Sequence, residues 1–346
     1  YLLARPGPWP LIGSLTSAAL GVLVLRRAPT RARVLRAGTV TGGVLGLVAG
    51  AHTALQTPTP GAVCAAAIIP LLIGFLSGFV VLSVLPLLEW MLGELSDVSV
   101  IEYGTDHPLL DRLRAEAPGT WYHSLNVADL AEKAAVQIGA RALFCRTSAL
   151  YHDVGKLKEP ALFAENFDGA SPHDVLDPQE SARKIIEHVP YGLELARKHR
   201  LPKAFREIIA EHHGVSSVRF FYAKACQLQP EASRTEVDPA LFRYPGPPPS
   251  TRESGIIALA DCVEAASRSF APGAEPDWRG FVRGLFADRI SEGELAECPL
   301  TLADLAKIEA AFVGWLKSRN HLRPAYPAAA RDTARLAPAK GQGARL

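Results

Sequence analysis

The sequence predicts an all-α protein in two parts: transmembrane helices followed by a cytoplasmic, all-helical domain. Three observations carry that expectation. The first ninety residues hold a single carboxylate, Glu89, and three long apolar stretches. The remainder has the mixed charge of a water-facing protein, with apolar residues at helical rather than alternating spacing. Histidines and aspartates then gather at the ends and in the apolar centres of those helices.

At 346 residues the chain is too long for one average domain. Its 37 basic and 35 acidic residues nearly cancel, so neither DNA nor RNA is expected as a partner. The mean hydropathy of +0.10 comes from the first ninety residues. Beginning at Tyr1 with Met91 as its one methionine, the sequence reads as the C-terminal part of a longer membrane bundle.

The apolar stretches run roughly from Trp9 to Leu25, Val34 to Leu55 and Gly61 to Leu92. A hydrocarbon core of about 30 Å takes about 20 helical residues, so each is read as a span. The third has length to spare and is expected to tilt, or to kink at Pro70 or Pro86. Gly and Ala are frequent in the second and third, as where helices pack closely in lipid. Arg26, Arg27, Arg31, Arg33 and Arg36 separate the first two stretches, whereas Thr57 to Pro60 carries no charge. The positive-inside rule puts the arginines, and with them everything after Leu92, in the cytoplasm of a multi-pass protein of the cell membrane. Five cysteines without paired spacing read as free buried thiols.

The organisation expected is therefore a membrane region over 1–92, a connector over 93–119, a helical domain over 120–327 and a disordered tail over 328–346. In the connector His107, before Pro108, reads as a turn or cap residue, and Thr120 as a cap for the following helix. Helices are expected over Trp121–Ile138, Ala142–Lys156, Pro178–His188, Pro202–His213, Gly255–Ser269 and Leu302–Ser318, with Gly155, Pro160, Pro190 and Gly214 as stops.

His123, His152, Asp153, His188, His212, His213 and Asp261 share a pattern across these helices. An ionised Asp261 inside an apolar run is costly without a partner, and a divalent cation supplies one. His212 and His213, about 100° apart on a helix, serve two cations more easily than one. Asp153 follows a candidate ligand directly and can bridge both. Imidazole and carboxylate donors without thiolate suit iron or manganese. His199 and His321 read as surface residues, and His52 lies in a span with no visible partner.

The order of several blocks resembles the seven-transmembrane HD family of cyclic di-AMP phosphodiesterases, within the HD superfamily of metal-dependent phosphohydrolases. The blocks are Asp106–Leu110, Ala117–Leu125, Tyr151–Leu157, Ser171–Leu176, Glu211–Gly214, Phe242–Pro247 and Leu259–Ala266, covering roughly residues 70 to 327. The resemblance implies two metal ions, one held by His123, His152, Asp153 and Asp261, and a second held by His188, His212 and His213 with Asp153 as the bridge. It implies hydrolysis of cyclic di-AMP to pApA by a hydroxide activated between the ions. Asp153 and Lys156 are then the catalytic candidates, with Lys156 one turn further on and placed to meet a phosphate. The connection from Val215 to Ser254 becomes a nucleotide lid, with Tyr222 or Tyr244 stacking on adenine and Arg243 meeting phosphate. The second His-Asp pair, His173-Asp174, falls in a proline-flanked loop and reads as a cover rather than a ligand pair. Pro248 stands where the family usually has lysine, and Val154 where isoleucine is common. The expected partners are a cyclic dinucleotide and the lipid bilayer, and a homodimer is compatible with the pattern. The alternatives are hydrolysis of cyclic di-GMP or another nucleotide, and a membrane receptor that binds without cleaving.

Overall fold

The computed structural model describes residues 9–25, 30–57, 59–167, 169–229, 237–271 and 276–321. Arg26, Arg27 and the tail expected over 328–346 lie outside them. The helices are α1 (Trp9–Leu25), α2 (Arg31–Gln56), α3 (Pro60–Leu92), α4 (Asp97–Thr105), α5 (Pro108–Glu116), α6 (Pro118–Ile138) and α7 (Ala142–Ala149). There follow α8 (Pro178–Ile186), α9 (His188–Lys198), α10 (Lys203–Glu211), α11 (Arg219–Leu228), α12 (Arg252–Ser267), α13 (Trp278–Ser291) and α14 (Leu302–His321). Among the described residues, β pairing is limited to one isolated bridge, Ser217 with Arg243. The chain divides into two compact units, Tyr1–Asp111 with Pro202–Ala204, and Arg112–Leu201 with Phe205–Leu346.

In the first unit α2 starts at a cap, with the Thr30 hydroxyl accepting from the Arg33 N–H at 3.3 Å, while Arg31 pairs with Glu102 on α4 at 2.5 Å. Pro60 opens α3, where its missing N–H costs nothing. The helix continues through Pro70 and Pro86 and ends at Gly93, whose φ of 70° a side chain would strain. Glu89, in its last turn, accepts from the Ser96 N–H at 2.9 Å and the Ser99 hydroxyl at 2.8 Å, and so holds the start of α4.

The two long helices meet through Gly38, Gly42, Gly46 and Gly50, four residues apart along one face of α2. A Cβ at Gly38 would lie 2.3 Å from the Gly74 carbonyl oxygen, at Gly42 2.4 Å from that of Pro70, and at Gly46 2.2 Å from that of Ala67. Only hydrogen fits there, which is how small residues bring membrane helices into backbone contact. On other faces of α3, Ile69, Leu72, Ile73, Leu76 and Val80 are more than half exposed. Among the described residues two helices, α2 and α3, are long and apolar enough to cross a membrane. The described α1, at the first expected span, is a shorter apolar helix of 17 residues.

The second unit is built on α6, which buries Val127, Ala128, Leu130, Ala131, Ala134 and Ala135. It packs with α7, α12 and α14, where Ile256, Ile257, Val263 and Phe312 are fully buried. Phe144, Tyr151 and Phe205 add edge-to-face contacts. A smaller cluster of Ala182, Phe221 and Phe242, with Tyr222 against it, joins α8 to the connection over 215–254.

Several helix ends differ from the expectation. Instead of reaching Lys156, α7 stops at Ala149, and Val154–Lys158 form a 3-10 turn. The helix expected over Pro178–His188 breaks at Glu187 and resumes as α9. Pro190 was a poor stop signal, because it sits in the first turn of α9, where an N–H has no helical partner anyway. The α10 helix ends at Glu211, leaving His212 and His213 in a turn before Gly214. Thr120 lies inside α6, where its hydroxyl donates to Glu165 Oε1 at 3.1 Å instead of capping. His107 does cap, its Nδ1 accepting from the Leu109 N–H at 3.2 Å. Five helices fall outside the expectation: α4 and α5 in the connector, α9, α11 in the long connection, and α13, whose Trp278, Val282 and Phe286 recur every fourth position on its buried face. All five cysteines are free, but only Cys145 is buried and Cys64 is exposed.

The glycine face makes a test possible with the smallest side chain. Gly46→Ala should destabilise the α2–α3 pair by roughly 1–3 kcal/mol. Gly43→Ala, whose Cβ would sit 3.7 Å from Leu71 Cδ1, should be neutral or gain up to about 1 kcal/mol from helix propensity. Thermal unfolding of the detergent-solubilised chain compares them, and equal melting temperatures would remove the close-packing account.

Candidate metal centre

Seven side chains from five places in the second unit converge. His123 comes from the second turn of α6, His152 and Asp153 from the turn after α7, His188 from the start of α9, His212 and His213 from the turn after α10, and Asp261 from the middle of α12. All are buried except His213, which is partly exposed. One backbone approach sets the spacing. A Cβ at Gly155 would lie 1.7 Å from the His188 carbonyl oxygen, so only glycine lets the 3-10 turn bearing His152 and Asp153 press against α9.

The orientation of the rings is encoded locally. The Nδ1 atoms of His152, His188 and His212 lie 2.6, 2.6 and 2.9 Å from the carbonyl oxygens of Ala149, Ile185 and Ile209, each three residues earlier. A helix end has carbonyls to spare, and here they fix the proton on Nδ1 and turn Nε2 inward. The inward atoms surround Asp153. Its Oδ2 lies 3.4 Å from His123 Nε2 and 3.2 Å from His152 Nε2, while Oδ1 lies 3.4 Å from His188 Nε2 and 3.6 Å from His212 Nε2. Asp261 Oδ1 is 2.9 Å from His123 Nε2 and 3.8 Å from His152 Nε2, and its Oδ2 is 3.7 Å from His213 Nδ1.

These donors fit a divalent cation. His152 Nε2 and Asp153 Oδ1 are buried and make no hydrogen bond. His188 Nε2 and His212 Nε2 face each other at 3.3 Å. With both protons committed to Nδ1, two lone pairs confront one another, and a cation resolves that arrangement. Two sets of ligand atoms lie within 4.8 Å of one another, Asp153 with His188, His212 and His213, and Asp153 with His123 and His152. The helix geometry that would have sent His212 and His213 to different cations does not apply, because both lie beyond the end of α10.

Electrostatics divide the rings. Burial disfavours charge on His123, but Asp153, Asp261 and Glu264 outweigh it and hold the ring well above its ordinary value. At His152 burial is likewise overcome, chiefly by the Asp153 charge, and the pKa rises to about 9. At His188 burial prevails and the pKa falls to about 3. His213 is driven well below its ordinary value by burial and by the His212 ring. Burial would raise Asp153, yet Lys156 and His152 hold it well below the usual carboxylate range.

Lys156 is partly buried, with Nζ 2.7 Å from both Asp153 Oδ2 and Glu165 Oε1. The lid candidates part ways. Tyr244 reaches the centre, but its ring is stacked on His213 at 4.3 Å and its exposure is only 8%, so that face is taken. Tyr222 packs on Phe242 at 5.5 Å, and Arg243 lines a groove with Arg183 and Glu187. Neither borders a cavity of about 440 Å³ beside His123 or one of about 290 Å³ beside His213 and Asp261. His173 stays out of the centre, its Nε2 2.8 Å from the Leu162 carbonyl oxygen.

Sequence reasoning missed Glu264, whose Oε2 is 2.6 Å from His123 Nδ1. The signal was there: Glu264 follows Asp261 by three residues on the same buried helix face, and the cost of burying a carboxylate that singled out one applies to both. Glu165 and Arg268, which surround Lys156 and Glu264, left no comparable mark.

A family model described as HD domain matches residues 120–266. The chain is 36% identical over 322 residues to the cyclic-di-AMP phosphodiesterase PgpH of Bacillus subtilis, covering 91% of this chain and 44% of the relative. It is 33% identical over 325 residues to the Listeria monocytogenes protein of the same name, covering 90% and 44%. The chain therefore spans less than half the length of these curated relatives. The crystal structure of the L. monocytogenes PgpH HD domain matches with a TM-score of 0.57 at 37% identity, covering 62% of this chain and 100% of that one. The complex of that domain with cyclic-di-AMP matches at 0.58 and 36%, covering 62% and 99%. With the histidine–aspartate centre and these likenesses together, the chain belongs to the HD superfamily of metal-dependent phosphohydrolases and, within it, to the PgpH phosphodiesterase family.

Proposed function

We propose that the chain is a membrane-anchored phosphodiesterase that opens one phosphodiester bond of cyclic di-AMP to give linear pApA. Residues 1–92 serve as the anchor, 93–119 as the connector and 120–327 as the catalytic domain. The observation that carries the reading is the divided carboxylate of Asp153, with Oδ2 turned to His123 and His152 and Oδ1 to His188 and His212. A carboxylate so placed joins two ligand sets. Two divalent ions, iron or manganese by donor chemistry, would be held by His123, His152, Asp153 and Asp261 on one side and by Asp153, His188, His212 and His213 on the other. When bound, such a pair supplies activated water and charge neutralisation at the phosphoryl oxygens.

The chain's own residues do the rest. His188 and His213, neutral from burial, need lose no proton to coordinate. Lys156 keeps a positive charge beside Asp153 Oδ2, within reach of a phosphate drawn to the centre. Tyr244 against His213 and Phe163 against His188 wall off bulk water. In the reaction a water oxygen bonds to phosphorus, the bond from phosphorus to the 3′ oxygen breaks, and that oxygen leaves as the 3′ hydroxyl of pApA. Adenine as the base is supported by the names of the two relatives and by the ligand in the Listeria complex. Cytoplasmic placement is supported by Arg31, Arg33 and Arg36 at the start of α2: from a cytoplasmic arginine segment, α2 leads out and α3 returns.

Three outcomes are expected. Incubated with manganese or iron, the full chain should convert cyclic di-AMP to pApA faster than cyclic di-GMP to pGpG, as separated by chromatography; binding without cleavage would favour the receptor reading. Asp153→Ala should lose both ions in metal analysis of the purified chain, and two ions retained per chain would sink the bridge. Manganese affinity should also depend on pH. His152 stays protonated up to about 9 in the metal-free chain, and His123 too is held charged, so coordination must release their protons. Affinity should then rise with pH, by roughly tenfold per unit for each proton released, and weaken towards acid. Titration calorimetry in buffers of different ionisation enthalpy measures that release.

A further inference from the structure

Three of the rings anchor Nδ1 on a carbonyl of their own helix end. His123 does not. Its Nδ1 lies 2.6 Å from Glu264 Oε2 and also 2.6 Å from an Nη atom of Arg268. Both cannot be hydrogen bonds in one tautomer. A ring protonated on Nδ1 donates to Glu264 and keeps a lone pair on Nε2, facing Asp153 and Asp261. A ring protonated on Nε2 accepts from Arg268 instead and points an N–H into the cluster, where it blocks coordination. The carboxylate is well placed to win. Glu264 is buried, and Asn126 Nδ2 at 3.0 Å and Arg319 Nη1 at 3.3 Å hold its other oxygen. Arg268 itself donates to Oε2 at 2.9 and 2.6 Å, and its side chain is partly open to the cavity of about 440 Å³.

We propose that Glu264 is a positioning residue that locks His123 in the tautomer presenting Nε2 to a cation, against the competing donor Arg268. This rests on the reading of the cluster as a two-ion centre. It adds an asymmetry: the ion on the His123 side depends on a side chain brought from α12, while His188 and His212 on the other side depend only on their own backbone.

The test is manganese binding to the full chain in detergent, with free ion read by electron paramagnetic resonance and the melting temperature of the metal-free chain read alongside. Glu264→Met removes the acceptor at similar volume and should weaken one ion by about 10–100-fold while sparing the other. Glu264→Gln, whose carbonyl can still accept from Nδ1–H, should recover most of that loss. Arg268→Ala alone should keep both ions, and Glu264→Met combined with Arg268→Ala should bind better than Glu264→Met. The proposal is overturned if Glu264→Met holds both ions as the wild type does, or if Arg268→Ala loses an ion as readily. It is equally overturned if Glu264→Met loses both ions with a lowered melting temperature, which would assign Glu264 to packing. A wild-type chain that takes up no manganese would instead remove the two-ion reading itself.

Discussion

Asp153 is an ionised carboxylate with almost no water around it, and the catalytic unit is arranged to tolerate that. Taking such a group out of water costs several kcal/mol unless opposite charge and donors replace the solvent. Lys156 on one oxygen and the His123 and His152 rings beside it supply part of the replacement, while Oδ1 is left without a hydrogen bond. Each neighbour then needs support of its own. Lys156 leans on Glu165, Glu165 takes the hydroxyl of Thr120, and His123 leans on Glu264. The polar interior is thus a chain of obligations that begins at one residue and ends in the first turns of α6 and the last turns of α12.

The same residue explains why the helices stop where they do. Had α7 run on to Lys156, as apolar spacing suggests, His152 and Asp153 would have sat on a regular helix with their own carbonyls spent on the ladder. Ending at Ala149 releases a carbonyl for the His152 ring and allows the tight turn at Gly155 to meet α9. The breaks at Glu187 and after Glu211 do the same for His188 and His212.

The all-helical character of the fold, the two long apolar helices and all seven converging side chains were legible in the sequence, because periodicity and residue type report burial and donor chemistry directly. Less legible was whatever depends on where a helix ends. Pro190 looked like a stop and proved to be a first-turn residue, and the His212-His213 pair was assigned helical geometry that its turn does not have. The α13 helix could have been found from Trp278, Val282 and Phe286. Residues whose role is to hold another residue, such as Arg268 and Glu165, have ordinary surface chemistry in one dimension and acquire their meaning only from a neighbour over a hundred positions away or in another turn.

Because the inward atoms come from α6, α9, α12 and the turns after α7 and α10, the centre is a knot tied across the whole catalytic unit. Anything bound there joins segments more than a hundred residues apart, in the manner of a cross-link that can be undone. By mass action an ion that binds only the folded chain adds RT ln(1 + [L]/Kd) to its stability. A chelator would then act on this unit as a denaturant does, and scarcity of metal would shorten the life of the protein as well as silence it.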